Sequence, residues 1–152
     1  MNAAPVLMQI VGALASARLE AVLIGNAAAA IQGARVTTND FDFLIRSGQK
    51  AKIDAFAKTL GAGATAPYYP ASQMVRVVRE AGPHIQVDLL TRATGMRSFE
   101  GVRSKATRIP FGSGVLVVAR LLDVVNSKRA LGRLKDKAVL PLLEAALEAQ
   151  GR

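Results

Sequence analysis

Two aspartates flank a phenylalanine in the segment Asn39-Asp-Phe-Asp-Phe-Leu-Ile45, which constrains the fold of this chain more than any other feature. The run from Phe41 to Ile45 has the apolar content of a strand, although aspartate is disfavoured in strands. Because side chains alternate along a strand, Asp40 and Asp42 share one face and the phenylalanines point to the other. The segment therefore predicts a strand with one apolar face and two carboxylates on the opposite face.

A third aspartate, Asp88, stands between apolar residues in a second strand-like run, Ile85 to Leu90. If the two strands are neighbours, three carboxylates come together, and charges about 4 Å apart repel by roughly 4 kcal/mol per pair at an effective dielectric near 20. Divalent cations relieve such repulsion, and oxygen ligands suit Mg²⁺ or Mn²⁺. Paired ions commonly support in-line displacement at phosphorus. Asp40, Asp42 and Asp88 are therefore the predicted metal ligands and catalytic residues.

Spacing alone leaves a second interpretation open, in which the three aspartates are structural. Asp40 would turn the chain at the entry to the strand, Asp42 would pair with a basic side chain, and Asp88 would be a charge on an edge strand. Short motifs carry a real rate of false matches, so the pattern by itself does not choose between the two interpretations.

Composition limits the chemistry that is open to this chain. Cysteine is absent from the 152 residues and histidine occurs once, as His84, which we expect at a loop or strand end and not as a general base. Thiol catalysis, disulfides and a nitrogen-rich metal site are therefore excluded, and any metal has oxygen ligands. The formal net charge of +9 favours a polyanionic partner, because basic side chains release condensed counterions from phosphates. Aromatic residues, at 5%, are too few and too separate from the basic ones to predict a base-stacking platform.

A glycine turn, Ile24-Gly-Asn-Ala27, precedes the acidic pair. It follows the apolar run Ala21 to Ile24 and opens an alanine-rich segment that ends at Gly33, which predicts a strand, a tight turn and a short helix. Glycine allows close approach of the backbone, and the free N–H groups of a helix N-terminus suit phosphate oxygens. Asn26 is expected to cap that helix and to donate to a phosphate. A plain turn and cap is the alternative.

Later elements follow from apolar periodicity and from Gly and Pro punctuation. We expect a helix from about Gln49 to Leu60, a loop from Gly61 to Pro70, and a hairpin of the strands Met74 to Arg79 and Ile85 to Leu90. Residues 91–114 are expected to be mainly loop, with short strands around 106–109 and 115–118. Residues 119–149 are expected to be helical, with a break at Gly132 and a bend at Pro141.

The order of these elements predicts an α/β (α+β) fold, a mixed sheet flanked by helices with further helices at the C-terminus. We expect one domain over residues 1–152, with a core over about 1–118 and a helical segment over about 119–150. The first 17 residues are apolar at helical spacing with no basic stretch before them, which predicts an amphipathic helix and not a signal peptide. No apolar run is long enough to cross a bilayer, so we expect a cytoplasmic protein without a membrane partner.

Three segments in this order and spacing resemble the nucleotidyltransferase superfamily of DNA polymerase beta: Leu23-Ile-Gly-Asn-Ala27, Gly33 to Asp42, and Val87-Asp-Leu-Leu90. In that family a Gly-Ser or Gly-Gly turn precedes an Asp-x-Asp pair, and a third aspartate lies on a later strand. The resemblance is strongest to a small bacterial branch of abortive-infection and toxin–antitoxin nucleotidyltransferases. Its Arg-x-Thr-x-Asp-x-Asp form is matched, with one extra residue, by Arg35, Thr37 or Thr38, Asp40 and Asp42. Ser127 to Asp136 is similar to the branch's helical segment that ends in Arg-x-Lys-Asp.

This resemblance implies roles for individual residues. Asp40 and Asp42 would bind the metal that bridges the triphosphate, all three aspartates would bind a second metal, and Asp88 would help to deprotonate the attacking hydroxyl. Lys128 would approach the triphosphate, and Asp136 would order nearby basic groups. The implied nucleotide-binding set is Gly25, Asn26, Thr38, Lys128, Arg133 and Asp136. Asn26 departs from the family's second glycine or serine, so it either crowds the triphosphate or replaces the serine as a donor.

For the C-terminal basic residues, the alternative is a solvated face with Arg129 and Arg133 at i and i+4 and an Arg133–Asp136 surface pair.

The function that the resemblance implies is metal-dependent transfer of a nucleoside monophosphate from a nucleoside triphosphate to an acceptor. The expected acceptor is RNA, with tRNA first, or a protein, and the expected role includes that of a toxin paired with an antitoxin protein. Two alternatives stay open: a catalytically weak nucleotide-binding or antitoxin-like partner protein, and a basic RNA-binding module. The basic residues expected to flank the cleft and contact RNA are Arg97, Arg103, Lys105, Arg108, Arg129, Arg133 and Lys135.

Overall fold

The computed structural model describes residues 4–64 and 74–151, which form six helices and seven strands. The elements of the first half are α1 (Ala4–Ala17), β1 (Ala21–Ile24), α2 (Gly25–Ile31), β2 (Asp40–Ile45), α3 (Lys50–Leu60) and β3 (Gly63–Ala64). Those of the second half are β4 (Met74–Arg79), β5 (Ile85–Leu90), α4 (Phe99–Ser104), β6 (Thr107–Phe111), β7 (Gly114–Val118), α5 (Leu121–Leu131) and α6 (Leu134–Gln150). Beyond residue 64, the loop predicted up to Pro70 lies outside the described residues.

Within these residues the strands form one mixed sheet in the order β3-β4-β5-β2-β1-β7-β6. β1 runs parallel to β7 and β2 runs parallel to β5, whereas the other neighbouring pairs are antiparallel. Helix α1 packs against α3 and β7, and α5 packs against α2 and α6. The predicted fold class, a mixed sheet flanked by helices, is confirmed.

The first helix, α1, buries one face through Leu7, Ile10, Val11 and Leu14. This 3–4 spacing is that of an amphipathic helix on a core, as predicted. Strand β1 lies between β2 and β7 and buries three consecutive aliphatic side chains, which is the pattern of an inner strand covered on both faces. No helix in the described part of the chain is long and apolar enough to span a bilayer.

The predicted hairpin of β4 and β5 is confirmed, with pairs running from Met74↔Leu90 to Arg79↔Ile85. Strand β5 also pairs with β2, so both of its edges are hydrogen bonded. The interpretation of Asp88 as an edge-strand charge is therefore wrong.

The segment 91–114, predicted to be mainly loop, contains the six-residue helix α4. Ser98 caps this helix, because its Oγ accepts a hydrogen bond from the Gly101 N–H, and Phe99 and Val102 are buried. A single turn and a half with a glycine inside it gives little periodic signal, which is why the sequence did not predict it. Strand β6 is also longer than predicted and ends at Phe111.

The predicted break at Gly132 is confirmed, since Gly132 ends α5 in the left-handed conformation with a φ of 61°. Arg133 precedes α6 and Arg129 belongs to α5, so the two do not share a helix face as expected from their spacing. Arg129 instead lies 3.7 Å from a carboxylate oxygen of Glu144. Pro141 lies inside α6.

Candidate active site

A cavity of about 520 Å³ opens beside β1, β2 and β5, between these strands and the C-terminal helices. It is lined by residues that the sequence singled out: Gly25, Asn26, Thr38, Asp40, Asp42, Asp88, Lys128 and Arg133. Of the predicted site residues only Asp136 is not at its wall. Segments far apart in the sequence therefore meet around one space.

Asp42 and Asp88 form the centre of the cluster, because the parallel pairing of β2 and β5 places them directly opposite each other. Asp40 lies two residues earlier on β2 and therefore on the same face. The exposure of the three carboxylates is graded: Asp40 is exposed, Asp42 is half-buried and Asp88 is buried. The sheet thus brings the three aspartates together as the sequence predicted.

The pKa of the Asp42 carboxyl is raised to about 6, first by burial and then by the negative charges of Asp88 and Asp40. The positive charges of Lys128 and Arg76 act in the opposite direction and offset only part of the rise. Asp42 forms no ion pair with any residue of the described ranges, so the alternative in which it pairs with a basic side chain is wrong.

Asp88, in contrast, is held by a basic side chain. Arg76 of β4 lies directly opposite it in the antiparallel register, and its guanidinium donates through Nε to Oδ1 at 2.8 Å and through Nη2 to Oδ2 at 3.1 Å. This is the bidentate arrangement that a planar guanidinium forms with a carboxylate. Both oxygens of Asp88 therefore have a charged donor, whereas those of Asp42 do not.

The donor set fits a divalent cation at the Asp40–Asp42 pair, because both side chains offer carboxylate oxygens to the same cavity and repel each other without a counter-charge. Across residues 4–64 and 74–151, however, no three acidic or imidazole side chains form a ready-made metal site. The third predicted ligand, Asp88, is the one bound by Arg76.

Gly25 leaves room for the Asp42 carboxylate. Its φ is +69°, in the left-handed region, and a Cβ placed on it would lie 3.1 Å from Asp42 Oδ2. Thr38 fixes the neighbouring acid, since its Oγ1 accepts from the Asp40 N–H and donates to the Asp40 carbonyl, both at 3.1 Å. These two residues therefore position the acidic pair through backbone geometry.

The prediction that Asn26 caps α2 is wrong. The helix begins at Gly25, with Ile24 as its N-cap two residues before the predicted one, and it has no side-chain cap. Asn26 lines the cavity, and its buried Oδ1 finds no hydrogen-bond donor among the described residues.

Asp136 lies behind the cavity wall and is fully buried. Its Oδ1 accepts from Lys128 Nζ at 3.3 Å, and its Oδ2 accepts from Arg133 Nε at 2.6 Å and from the Arg133 backbone N–H at 3.1 Å. The hydrogen bonds from Arg133, supported by Lys128, lower the pKa of Asp136 to about 2 despite its burial. The interpretation of Arg133 and Asp136 as a surface pair is therefore wrong for the acid, which orients two basic groups toward the cavity.

Sequence reasoning missed two basic residues of the cavity wall, Arg76 and Arg92. Arg76 could have been predicted from the sequence, because symmetric pairing of the two predicted strands about their turn places Arg76 opposite Asp88. Arg92 follows β5 in a segment without periodic signal.

Of the basic residues predicted to flank the cleft, only Arg133 and Lys135 line it. Arg103 and Arg108 line a separate groove together with Arg18. His84 lies in the β4–β5 turn, with its Nδ1 3.5 Å from a carboxylate oxygen of Glu80 and away from the cavity.

Two solved structures share this arrangement of strands and helices. The solution structure of the antibiotic-resistance factor ANT(2'')-Ia is 14% identical with a TM-score of 0.65, over 99% of this chain and 88% of that one. The crystal structure of ANT(2'')-Ia in complex with adenylyl-2''-tobramycin is 13% identical with a TM-score of 0.62, over 97% of this chain and 91% of that one. No protein-family model and no curated protein matches the sequence.

At this level of identity the likeness shows the fold alone. The chain therefore shares the fold of ANT(2'')-Ia. The assignment to the toxin–antitoxin branch stays a prediction.

Proposed function

We propose that this protein is a metal-dependent nucleotidyltransferase that transfers a nucleoside monophosphate from a nucleoside triphosphate to an acceptor. The observation that carries the proposal is the placement of Asp42 opposite Asp88, beside Asp40, in a cavity whose wall also carries basic side chains. A protein that only binds a nucleotide, without turning it over, does not need three carboxylates on one face of the sheet. The fold of ANT(2'')-Ia supports the assignment.

In the reaction, an acceptor oxygen attacks the α-phosphorus, the bond from that phosphorus to the bridging oxygen breaks, and pyrophosphate leaves. Asp40 and Asp42 would hold Mg²⁺ or Mn²⁺, which when bound would supply positive charge against the triphosphate and lower the pKa of the attacking hydroxyl. Asp88 orients that hydroxyl and helps to take its proton. Lys128 and Arg133, ordered by Asp136, bind the phosphates, and Gly25, Asn26 and Thr38 border the same space.

The charges of the cavity favour an anionic acceptor. Its wall carries the carboxylates of Asp40, Asp42 and Asp88 and the cationic groups of Arg76, Arg92, Lys128, Arg133 and Lys135. One of the solved relatives holds adenylyl-2''-tobramycin, a product of an acceptor that is itself a polycation. These five cationic groups, called the basic rim below, would repel a polycation and attract RNA phosphates. We therefore assign RNA as the acceptor, with tRNA as the first to test.

The toxin role and an antitoxin partner stay predictions from the sequence resemblance, and so does the location in the cytoplasm. The alternative of a basic RNA-binding module predicts nucleic-acid binding that is indifferent to Mg²⁺ and to Asp42. The nucleotide-sensor alternative predicts triphosphate binding without pyrophosphate release.

The test is to incubate the protein with each nucleoside triphosphate, labelled at the α-phosphorus, and with separate cellular fractions of tRNA, other RNA, protein and small molecules. Pyrophosphate release that requires Mg²⁺ or Mn²⁺ and one of these fractions is the expected result, and label in tRNA or other RNA supports the acceptor. Label in protein or small molecules would overturn the acceptor and keep the reaction. Triphosphate binding of equal affinity with excess chelator, with no release in any fraction, would overturn the function.

A further inference from the structure

Arg76 holds the one carboxylate of the cluster that the proposed reaction needs for the acceptor. Its guanidinium donates to both oxygens of Asp88, at 2.8 and 3.1 Å, and the two residues are direct cross-strand partners on β4 and β5. The rest of the cluster differs, because Asp40 and Asp42 have no ion pair with any described residue.

A guanidinium in this position opposes cation binding at Asp88. The carboxylate keeps lone pairs for another ligand, but a positive charge hydrogen-bonded to it repels a divalent ion and so raises the free energy of cation binding there. The ligand-free protein therefore has an acidic pair that is open to a cation and a third carboxylate that already has its counter-charge.

Arg76 is also placed to leave. Its side chain is 30% exposed while that of Asp88 is 10% exposed, and both residues line the cavity in which the triphosphate and acceptor phosphates would lie. A phosphate presents the same fork of oxygens to a guanidinium as a carboxylate does. An incoming phosphate can therefore take the place of the Asp88 carboxylate as the hydrogen-bond acceptor of Arg76.

We propose that Arg76 is the resident counter-cation of Asp88: it keeps the third carboxylate out of the metal site until a bound phosphate draws the guanidinium away. This inference rests on the proposed function, which supplies the phosphates. Arg76 acts through Asp88 and is a positioning residue. The consequence is an order of assembly in which one cation binds at Asp40 and Asp42 before Asp88 becomes available to the reaction.

The test measures binding of Mn²⁺ alone to the nucleotide-free full chain, by electron paramagnetic resonance of the free ion. Arg76→Gln should bind Mn²⁺ at least about tenfold more tightly than the unchanged protein, because Asp88 loses its counter-charge next to Asp42. Arg76→Lys keeps a charge but not the fork, so its affinity should lie between the two. Arg79→Gln is the matched control: it removes the same charge from the opposite face of the same strand and should leave Mn²⁺ affinity unchanged.

The double variant Arg76→Gln/Asp88→Asn shows whether the gain passes through Asp88. It replaces the ion pair by neutral side chains and should return the affinity to that of the unchanged protein. Unchanged or weaker Mn²⁺ binding by Arg76→Gln, or a gain that persists in the double variant, would overturn the inference. If Arg76→Gln does not fold without metal, equal affinities for Arg76→Lys and the unchanged protein overturn it instead.

These outcomes separate the inference from the proposed function. If Arg76→Gln binds Mn²⁺ more tightly through Asp88 but the unchanged protein transfers no nucleotide, the inference about Arg76 holds and the proposed function is overturned. If the protein transfers nucleotide in a metal-dependent way but its Mn²⁺ affinity is the same with and without Arg76, the proposed function holds and the inference is overturned.

Discussion

Asp42 of β2 lies directly opposite Asp88 of the parallel strand β5, and among the described residues an arginine pairs with Asp88 but not with Asp42. Side chains of directly paired residues project to the same face of a sheet, so the two carboxylates share one wall of the cavity. The energetic consequence falls on Asp42, the half-buried acid without an ion-pair partner in the described ranges. Burial raises the pKa of this carboxyl to about 6.

The raised pKa predicts that the metal-free protein loses stability as pH rises. The folded state keeps a proton on Asp42 up to about pH 6, whereas the unfolded state releases it near the ordinary aspartate pKa of 3.8, so the free energy of unfolding falls across that window. Asp42→Asn should therefore stabilise the protein in chelator at pH 7 by about 1 to 2 kcal/mol. Urea unfolding at pH 4.5 and pH 7 measures this, and the variant should lack the difference. Equal pH dependence in both proteins would contradict the assignment.

Asp136 should show the opposite sign. Its lowered pKa gives stability that is fully present above about pH 4 and is lost as the pH falls toward 2, so it does not mask the effect of Asp42. Asp136→Asn should lower the free energy of unfolding at pH 7 by about 3 kcal/mol, because Lys128 and Arg133 lose a buried partner. Asp54→Asn, an exposed change on α3, is the control and should shift it by less than about 0.5 kcal/mol. A similar small shift in both variants would remove Asp136 from the support of the site.

Gly25→Ala should damage the acidic pair more than the fold requires. The new Cβ would lie 3.1 Å from Asp42 Oδ2 at a φ of +69°. Gly48→Ala is the matched control, since Gly48 has a φ of +73° and nothing within 4 Å of its added Cβ. Both should lose about 1 kcal/mol of stability from backbone strain, and only Gly25→Ala should weaken Mn²⁺ binding. Comparable Mn²⁺ affinities would show that the contact with Asp42 has no effect on the cation site.

RNA binding should depend on the basic rim of the cavity. Arg92→Ala and Lys135→Ala should each weaken binding similarly for RNAs of different sequence and reduce the slope of log affinity against log salt by about 1. Lys105→Ala, which removes a charge away from the cavity wall, should change the slope less. Filter binding across a salt series measures both quantities. Equal slopes for all three variants would place the RNA elsewhere on the surface.

The fold and the acidic cluster were predictable from sequence because their signals are local. Period-two alternation around Asp40 and Asp42 and the apolar run around Asp88 give two strands, and repulsion between their carboxylates points to a cation. The burial of Asp136 was not predictable, because it depends on how α6 packs on α5 after the break at Gly132. The role of Asn26 depends on where α2 begins, and a shift of the N-cap by two residues, from Asn26 to Ile24, places its side chain inside the helix instead of at the cap.

Arg76 is an intermediate case. Its partner follows from the hairpin register, but the sequence gives no reason to examine an arginine between valines in a strand. What cannot be inferred locally is therefore which charges face each other across the sheet.

The most direct test of the proposed reaction follows the two ends of the triphosphate. The protein is given a nucleoside triphosphate labelled at the α-phosphorus, or at the γ-phosphorus, with Mg²⁺ and the RNA fraction. Label from the α-position should become covalently attached to RNA, and label from the γ-position should appear only in pyrophosphate. A folded Asp42→Asn protein should lose at least about 100-fold of the transfer rate. Transfer of the γ-label, or α-label transfer that survives Asp42→Asn, would contradict the account.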